Sequence, residues 1–83
     1  MRYRVTLKPK AEKDLKEMPP QDRKRVVERL RLLEEDLSGD VKRLTNHHPE
    51  YRMRSGDWRA LFEIADAEII VYRILHRKEA YRS

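Results

Sequence analysis

Tyr3, Val5 and Leu7 alternate with Arg2, Arg4 and Thr6 at the start of the chain. A period of two matches the alternation of side chains across a strand, so the pattern predicts a half-buried first strand. Pro9 ends it and suits the first turn of a helix. Ala11, Leu15 and Met18 then recur at i, i+4 and i+7, which predicts a short amphipathic helix that Pro19 and Pro20 stop. Pro20 also suits the start of the next helix, and Asp22 favours the positive end of its dipole. From about Gln21 to Leu37 the pattern is strongly helical: Val26, Leu30, Leu33 and Leu37 form a stripe that Val27 widens, with Leu32 off its centre. Ser38 and Gly39 supply the C-terminal stop. The basic residues of this helix are mixed with acids and read as a solvated face.

Asp40 to Glu50 reads as a connector in which Val41 and Leu44 dip towards the core, and Thr45 to Pro49 has loop chemistry. Three strand patterns follow. The first is Tyr51 to Ser55. The second is Trp58 to Ala65, with Trp58, Ala60, Phe62 and Ile64 on one face and Arg59, Leu61 and Glu63 on the other. The third runs from Glu68 to about Leu75 after a turn at Asp66 and Ala67. Its apolar run, Ile69 to Tyr72, suggests a central strand covered on both sides. The order is therefore strand, helix hairpin, then a three-stranded antiparallel meander. This is an α+β fold with one small sheet and the two helices packed on one face, because their apolar stripes have nowhere else to be buried.

Length and composition narrow the class. The 83 residues make a single domain, 1–83, that can bury roughly 60–65% of its unfolded surface. Charged residues are 42% of the chain and apolar ones 39%, yet the apolar positions are periodic, which argues against disorder. The net charge of +5 suits nucleic acid, anionic lipid or an acidic protein. The chain has no cysteine, which removes disulfides and thiolate metal sites. No apolar run approaches a signal sequence or a membrane span, so a soluble, unprocessed, cytoplasmic protein is expected.

The chemistry gathers on the hairpin from Tyr51 to Arg59. Gly56 can adopt a positive φ and Asp57 tolerates one, so Ser55 to Asp57 signals a tight turn. With a loop of two residues or of four, Arg54 stands directly across from Arg59, and alternation adds Arg52 to the same face. Like charges placed opposite each other destabilise a sheet. Three guanidinium groups so arranged point to an anionic partner, since they bind phosphate oxygens in pairs and stay charged at physiological pH. Arg73 and Arg77 fall on the face of Arg59 if the Asp66 turn has three residues, and on the opposite face if it has two. Tyr51, Trp58, Tyr72 and Tyr81 lie close enough in sequence to allow base stacking. Trp58 and Tyr72 suit the core better, whereas Tyr81 sits in a polar tail without apolar periodicity. His47 and His48 are adjacent loop residues with no ligand-spaced partner, so no metal site is expected, and His76 suits a structural hydrogen bond. The serines lie in turns or at the terminus, and with only Gly39 and Gly56 there is no phosphate-binding glycine loop.

The run Tyr51, Arg52, Arg54, Gly56, Asp57, Trp58, Arg59, followed by Phe62 to Ile64 and then Val71 to Tyr81, resembles the RelE branch of the RelE/ParE toxin superfamily. The resemblance spans the whole chain. Its specific part is the combination of the Gly-Asp-aromatic-Arg turn with an ending that carries His76, Arg77, Glu79 and Tyr81. It implies the toxin of a type II toxin–antitoxin pair, an mRNA interferase that enters the ribosomal A site and cuts mRNA. The ribose 2′-OH attacks the adjacent phosphorus, leaving a 2′,3′-cyclic phosphate and a 5′-OH. No metal or cofactor is implied, because the nucleophile belongs to the substrate. The partners implied are the ribosome, mRNA, and a small, acidic, partly disordered antitoxin.

Carried over position by position, the resemblance assigns Arg59 to the phosphorane, Arg77 to the leaving-group side, and Tyr81 to stacking on or orienting the nucleotide. Arg54 completes the candidate catalytic set. Arg52, Arg54, Arg73, Lys78 and Arg82 make up the candidate RNA-binding set. Arg52 and Arg54 occupy positions that are often lysine, and Leu75 stands where many relatives have glycine. An arginine, with pKa above ~12, is a poor general base. Two other readings share the fold: a ParE-like inhibitor of gyrase, and a basic relative that binds nucleic acid without cutting it.

Overall fold

A computed structural model of the chain describes residues 3–35 and 41–79. Leu37 to Gly39, Tyr81 and Arg82 lie outside the described residues. The elements in chain order are β1 (Arg4–Leu7), α1 (Pro9–Lys16), α2 (Pro20–Glu35), β2 (Val41–Arg43), β3 (Tyr51–Ser55), β4 (Trp58–Ala65) and β5 (Glu68–His76). The sheet has the order β1-β5-β4-β3-β2. Strands β2 to β5 are antiparallel neighbours, and β1 joins β5 in parallel.

Local chemistry accounts for the helices. Pro9 opens α1, Glu12 lies in its first turn, and Lys13 and Lys16 lie in its last, each on the favourable end of the dipole. Pro20 opens α2 with Asp22 in the first turn. The predicted stripe is the buried one: Ala11, Met18, Val26, Leu30 and Leu33 join Met53, Ala60, Phe62, Ile69, Val71 and Ile74 in a single core. Leu32, off the stripe, is 56% exposed.

Two features differ from the sequence expectation. Val41–Arg43, read as part of a connector, forms the edge strand β2 and extends the meander to four strands. Three residues are too short for a period-two signal to stand out from a loop. The second difference is a β-bulge. The Asp66–Ala67 turn has two residues, since Ala65 pairs with Glu68, and Phe62 still pairs with Val71. Leu61 then pairs with Arg73, leaving Tyr72 without a partner in the register, and the shift carries on to Arg59–Leu75 and Trp58–His76. One extra residue moves every later side chain to the other face. Ile74 is thereby buried at 1% exposure, and Arg73 and Leu75 have the parity of Arg59. The bulge does what a three-residue turn would have done.

Candidate nucleic-acid interface

The β3–β4 hairpin turns on Gly56 and Asp57, with Ser55 paired to Trp58 and Arg54 to Arg59. Gly56 has φ +60°, and a Cβ there would meet nothing within 4 Å. The constraint is therefore on the backbone alone. Gly56→Ala is expected to cost about 1–2 kcal/mol, the penalty of the left-handed conformation for a residue with a Cβ. Gly56→Asn should cost less, because a short polar side chain tolerates that region. Thermal melts of both variants check the order.

On the face away from the helices, Lys42 pairs with Arg52, Arg52 with Leu61, and Arg54 with Arg59. Lys42 was hidden from the sequence reading because its strand was. The Arg59 guanidinium folds back on the turn, where Nη1 donates to the carbonyls of Gly56 at 2.8 Å and Trp58 at 3.0 Å. Arg77 meets the same turn from β5. Its backbone N–H donates to the Asp57 carbonyl at 2.7 Å, and its Nε lies 3.7 Å from Asp57 Oδ1. Arg54, Arg59 and Arg77 thus gather around one two-residue turn. Asp57, read from the sequence only as a turn former, is the residue on which Arg77 rests. Lys78 is exposed beyond the strand end, where its backbone N–H donates to His76 Nδ1 at 3.3 Å.

Arg73 is engaged differently. Its Nε and Nη2 donate to the two carboxylate oxygens of Asp14 on α1, at 2.8 and 3.0 Å. These hydrogen bonds, and after them the Asp14 charge, hold the Arg73 pKa above the ordinary arginine value against the opposing effect of partial burial. A raised pKa stabilises the fold below the unfolded value and loses its effect only as pH climbs through the folded one, so the pair stays charged on its arginine side through neutral and alkaline pH. The sequence reading placed Arg73 among the RNA contacts; here its guanidinium fork is taken up by α1.

Tyr51 and Trp58 pack against the core, whereas Tyr72, which the sequence pattern assigns to the core, does not, because the bulge leaves it on the outer face. Tyr51 stacks on Phe62 with centroids 5.6 Å apart, on the core side. Trp58 donates Nε1–H to Asp22 at 3.0 Å and meets the His76 ring edge-on. Tyr72, the bulged residue, lies on the face away from the helices, between Lys8, 5.3 Å above its ring, and His48. His48 Nε2 is 3.5 Å from Glu63, and His47 Nδ1 bonds to the Pro49 carbonyl. Behind the turn, a cleft of about 150 Å³ is lined by Asp22, Arg25, Ser55, Gly56, Asp57 and Trp58. It places Arg25, read as part of a solvated helix face, beside the Gly56–Asp57 turn from the helix side. Among the described residues, no three His, Asp or Glu side chains could hold a metal ion together, and no helix is long and apolar enough to cross a membrane.

Residues 5–81 match the family model for the ParE toxin of the type II toxin–antitoxin system parDE. The chain belongs to the RelE/ParE toxin family. A curated relative, Toxin RelE3 of Methanocaldococcus jannaschii, is 38% identical over 77 residues, covering 83% of this chain and 84% of that toxin. Putative toxin RelE1 of the same organism is 30% identical across 100% of this chain and 99% of its own length. Among solved structures, the RelBE2 toxin–antitoxin complex of Mycobacterium tuberculosis matches with TM-score 0.80 at 27% identity, covering 93% of this chain and 100% of that one. The RelB–RelE complex of Methanococcus jannaschii matches with TM-score 0.77 at 32% identity, over 93% and 95%. The RelE-like fold expected from the tail and turn motifs is therefore the fold observed. The β3–β4 turn and the end of β5, which carry the turn and tail motifs, meet through Asp57 and Arg77.

Proposed function

We propose that this RelE/ParE-family toxin is a ribosome-dependent mRNA endonuclease that inhibits translation by cutting mRNA in the ribosomal A site. The observation that carries this reading is the convergence of Arg54, Arg59 and Arg77 on the Gly56–Asp57 turn. A phosphodiester attacked by its neighbouring 2′-OH gains charge on the nonbridging oxygens and then on the departing 5′-oxygen. Donors fixed in advance around that position stabilise the transition state more than the ground state. Arg59 and Arg54 serve the phosphorane, and Arg77 the 5′-oxygen. In the balanced reaction the 2′-oxygen bonds to phosphorus, the bond from phosphorus to the 5′-oxygen breaks, the 2′-OH proton leaves, and the 5′-oxygen is protonated. The ends are a 2′,3′-cyclic phosphate and a 5′-OH.

All three cationic groups are arginines, which donate and do not accept protons. The protein's share of catalysis is then positioning and charge stabilisation rather than proton abstraction. Arg52, Lys42 and Lys78 extend the positive surface along which the RNA backbone lies, and Tyr81 and Arg82 of the tail contribute as the family motif implies, Tyr81 by stacking. The relatives solved as complexes with RelB support an antitoxin partner for this chain too.

Primer extension on mRNA under translation, after induction of the toxin, tests the reading. Cuts at A-site codons, with 5′-OH ends and dependence on ribosomes, are expected. Intact mRNA with normal translation would sink it. Because the matching family model is that of ParE, gyrase supercoiling is assayed alongside. Loss of supercoiling with intact mRNA would assign the chain to the gyrase-inhibiting side of the family.

A further inference from the structure

We infer that Asp14, in the last turn of α1, is a positioning residue for Arg77, acting through the bulge in β5. The inference rests on the endonuclease reading for its activity arm but not for its structural one.

The bulge decides where Arg77 goes. Had the pairing of Phe62 with Val71 simply continued, Asp57 would stand opposite His76 and Arg77 would take the parity of Trp58, on the helix side. With Tyr72 set out of the ladder, Trp58 pairs with His76 and the Arg77 amide reaches the Asp57 carbonyl at 2.7 Å. The delivery of Arg77 to the turn held by Arg59 therefore depends on a one-residue irregularity in the middle of β5.

The Arg77 amide points at β4, so the Ile74 amide, three residues earlier, points away from it to the outer edge of β5, and β1 does not reach that far. It pairs with β5 only from Glu68 to Val71 and ends where the bulge begins. The chain then turns into α1, and α1 supplies Asp14 to the stretch β1 leaves uncovered. Asp14 Oδ2 accepts the backbone N–H of Ile74 at 2.9 Å and Nε of Arg73 at 2.8 Å, while Oδ1 accepts Arg73 Nη2 at 3.0 Å. One carboxylate, only 14% exposed, thus holds the two residues immediately after the bulge. Burial of Ile74 selects the shifted register; Asp14 fixes the segment in it. From Ile74 to Arg77 is three residues of extended chain, so slack at the first is carried to the second. Glu17 and Glu79 line the same groove between α1 and the end of β5, but no bond from either reaches Ile74 among those described.

The test uses the full-length toxin as wild type, Asp14→Ala and Asp14→Asn. Amide hydrogen exchange is followed by NMR at Ile74, Arg77 and, as a remote control in β3, Met53. In Asp14→Ala the Arg77 amide is expected to exchange about tenfold faster or more while Met53 is unchanged, local opening being set by local contacts. Asp14→Asn keeps an acceptor for the Ile74 amide and loses the ionic hold on Arg73, so it should fall between the two and remain folded even if the alanine variant does not. Unaltered Arg77 exchange in both variants would overturn the inference. In ribosome-dependent cleavage, kcat should fall about 100-fold in Asp14→Ala with KM changed less than about threefold, as expected for a misplaced group that acts in the transition state. Unchanged kcat would overturn the positioning role. The exchange arm needs no catalysis, so it decides the structural claim even if the wild type fails to cut RNA, a failure that would overturn the endonuclease reading instead.

Discussion

Phe62→Ala should remove most of the stability of the domain. Phe62 is fully buried in the middle of β4, stacked on Tyr51 and paired with Val71. Truncation loses the transfer free energy of the ring and leaves a cavity, because the strands on either side are held in register and cannot close in. Large-to-small changes of this kind cost ~3–5 kcal/mol. A chain of 83 residues has on the order of 4–12 kcal/mol in total. Urea unfolding followed by circular dichroism checks this, with a fall of about 2–3 M in midpoint expected if the m-value stays near ~1.5 kcal/mol/M. Phe62→Leu, which keeps much of the volume, should be far milder. Leu32→Ala is the contrasting control: the residue is 56% exposed on α2, so its loss should stay within about 0.5 kcal/mol. A small effect at Phe62 would mean that the core does not depend on β4 as its packing indicates.

The elements that could be read from the chain were those whose chemistry is periodic or punctuated. The α2 stripe of Val26, Leu30 and Leu33 and the alternation along β4 are each long enough for one period to dominate, and both fold as read. The Gly56 turn was legible because positive φ demands a particular residue type. What was not legible needed tertiary partners. Strand β2 exists because β3 offers it an edge, and Val41 to Arg43 carry no pattern that says so. The bulge left a faint trace: alternation continued from Ile69 and Val71 would have put Arg73 in the core, whereas a step of three puts Ile74 there. That irregular step is the signal that would have settled the parity of Arg73 and Arg77. Nothing in the sequence near Asp14 ties it to Arg73, 59 positions away. Hence the candidate site could be assembled as a set of residue types, while the use of Arg73 as a strut, and of Asp57 as the rest for Arg77, awaited the structure.

Arg77→Ala is expected to abolish growth arrest on induction and to lower cleavage by about 10²–10³-fold, the loss seen when one preorganised donor to a developing oxyanion is removed. Its melting temperature should stay close to that of the wild type. The two properties separate because Arg77 is 61% exposed and its ionic contact, Asp57, is 62% exposed at 3.7 Å, a pairing that solvent screens to little stability. The backbone bond from Arg77 to the Asp57 carbonyl survives the substitution, so the turn keeps its shape. Arg77→Lys distinguishes charge from geometry. A lysine restores the charge but not the planar fork, so partial recovery is expected where charge alone matters and none where two oxygens must be held together. Arg59→Ala should match Arg77→Ala in activity if, as proposed, both guanidiniums act on the same phosphate. The double variant should then lose little beyond either single one, as residues that work as a unit are non-additive. Toxicity retained by Arg77→Ala, or lost only together with the fold, would remove Arg77 from the site and leave the turn as a binding surface.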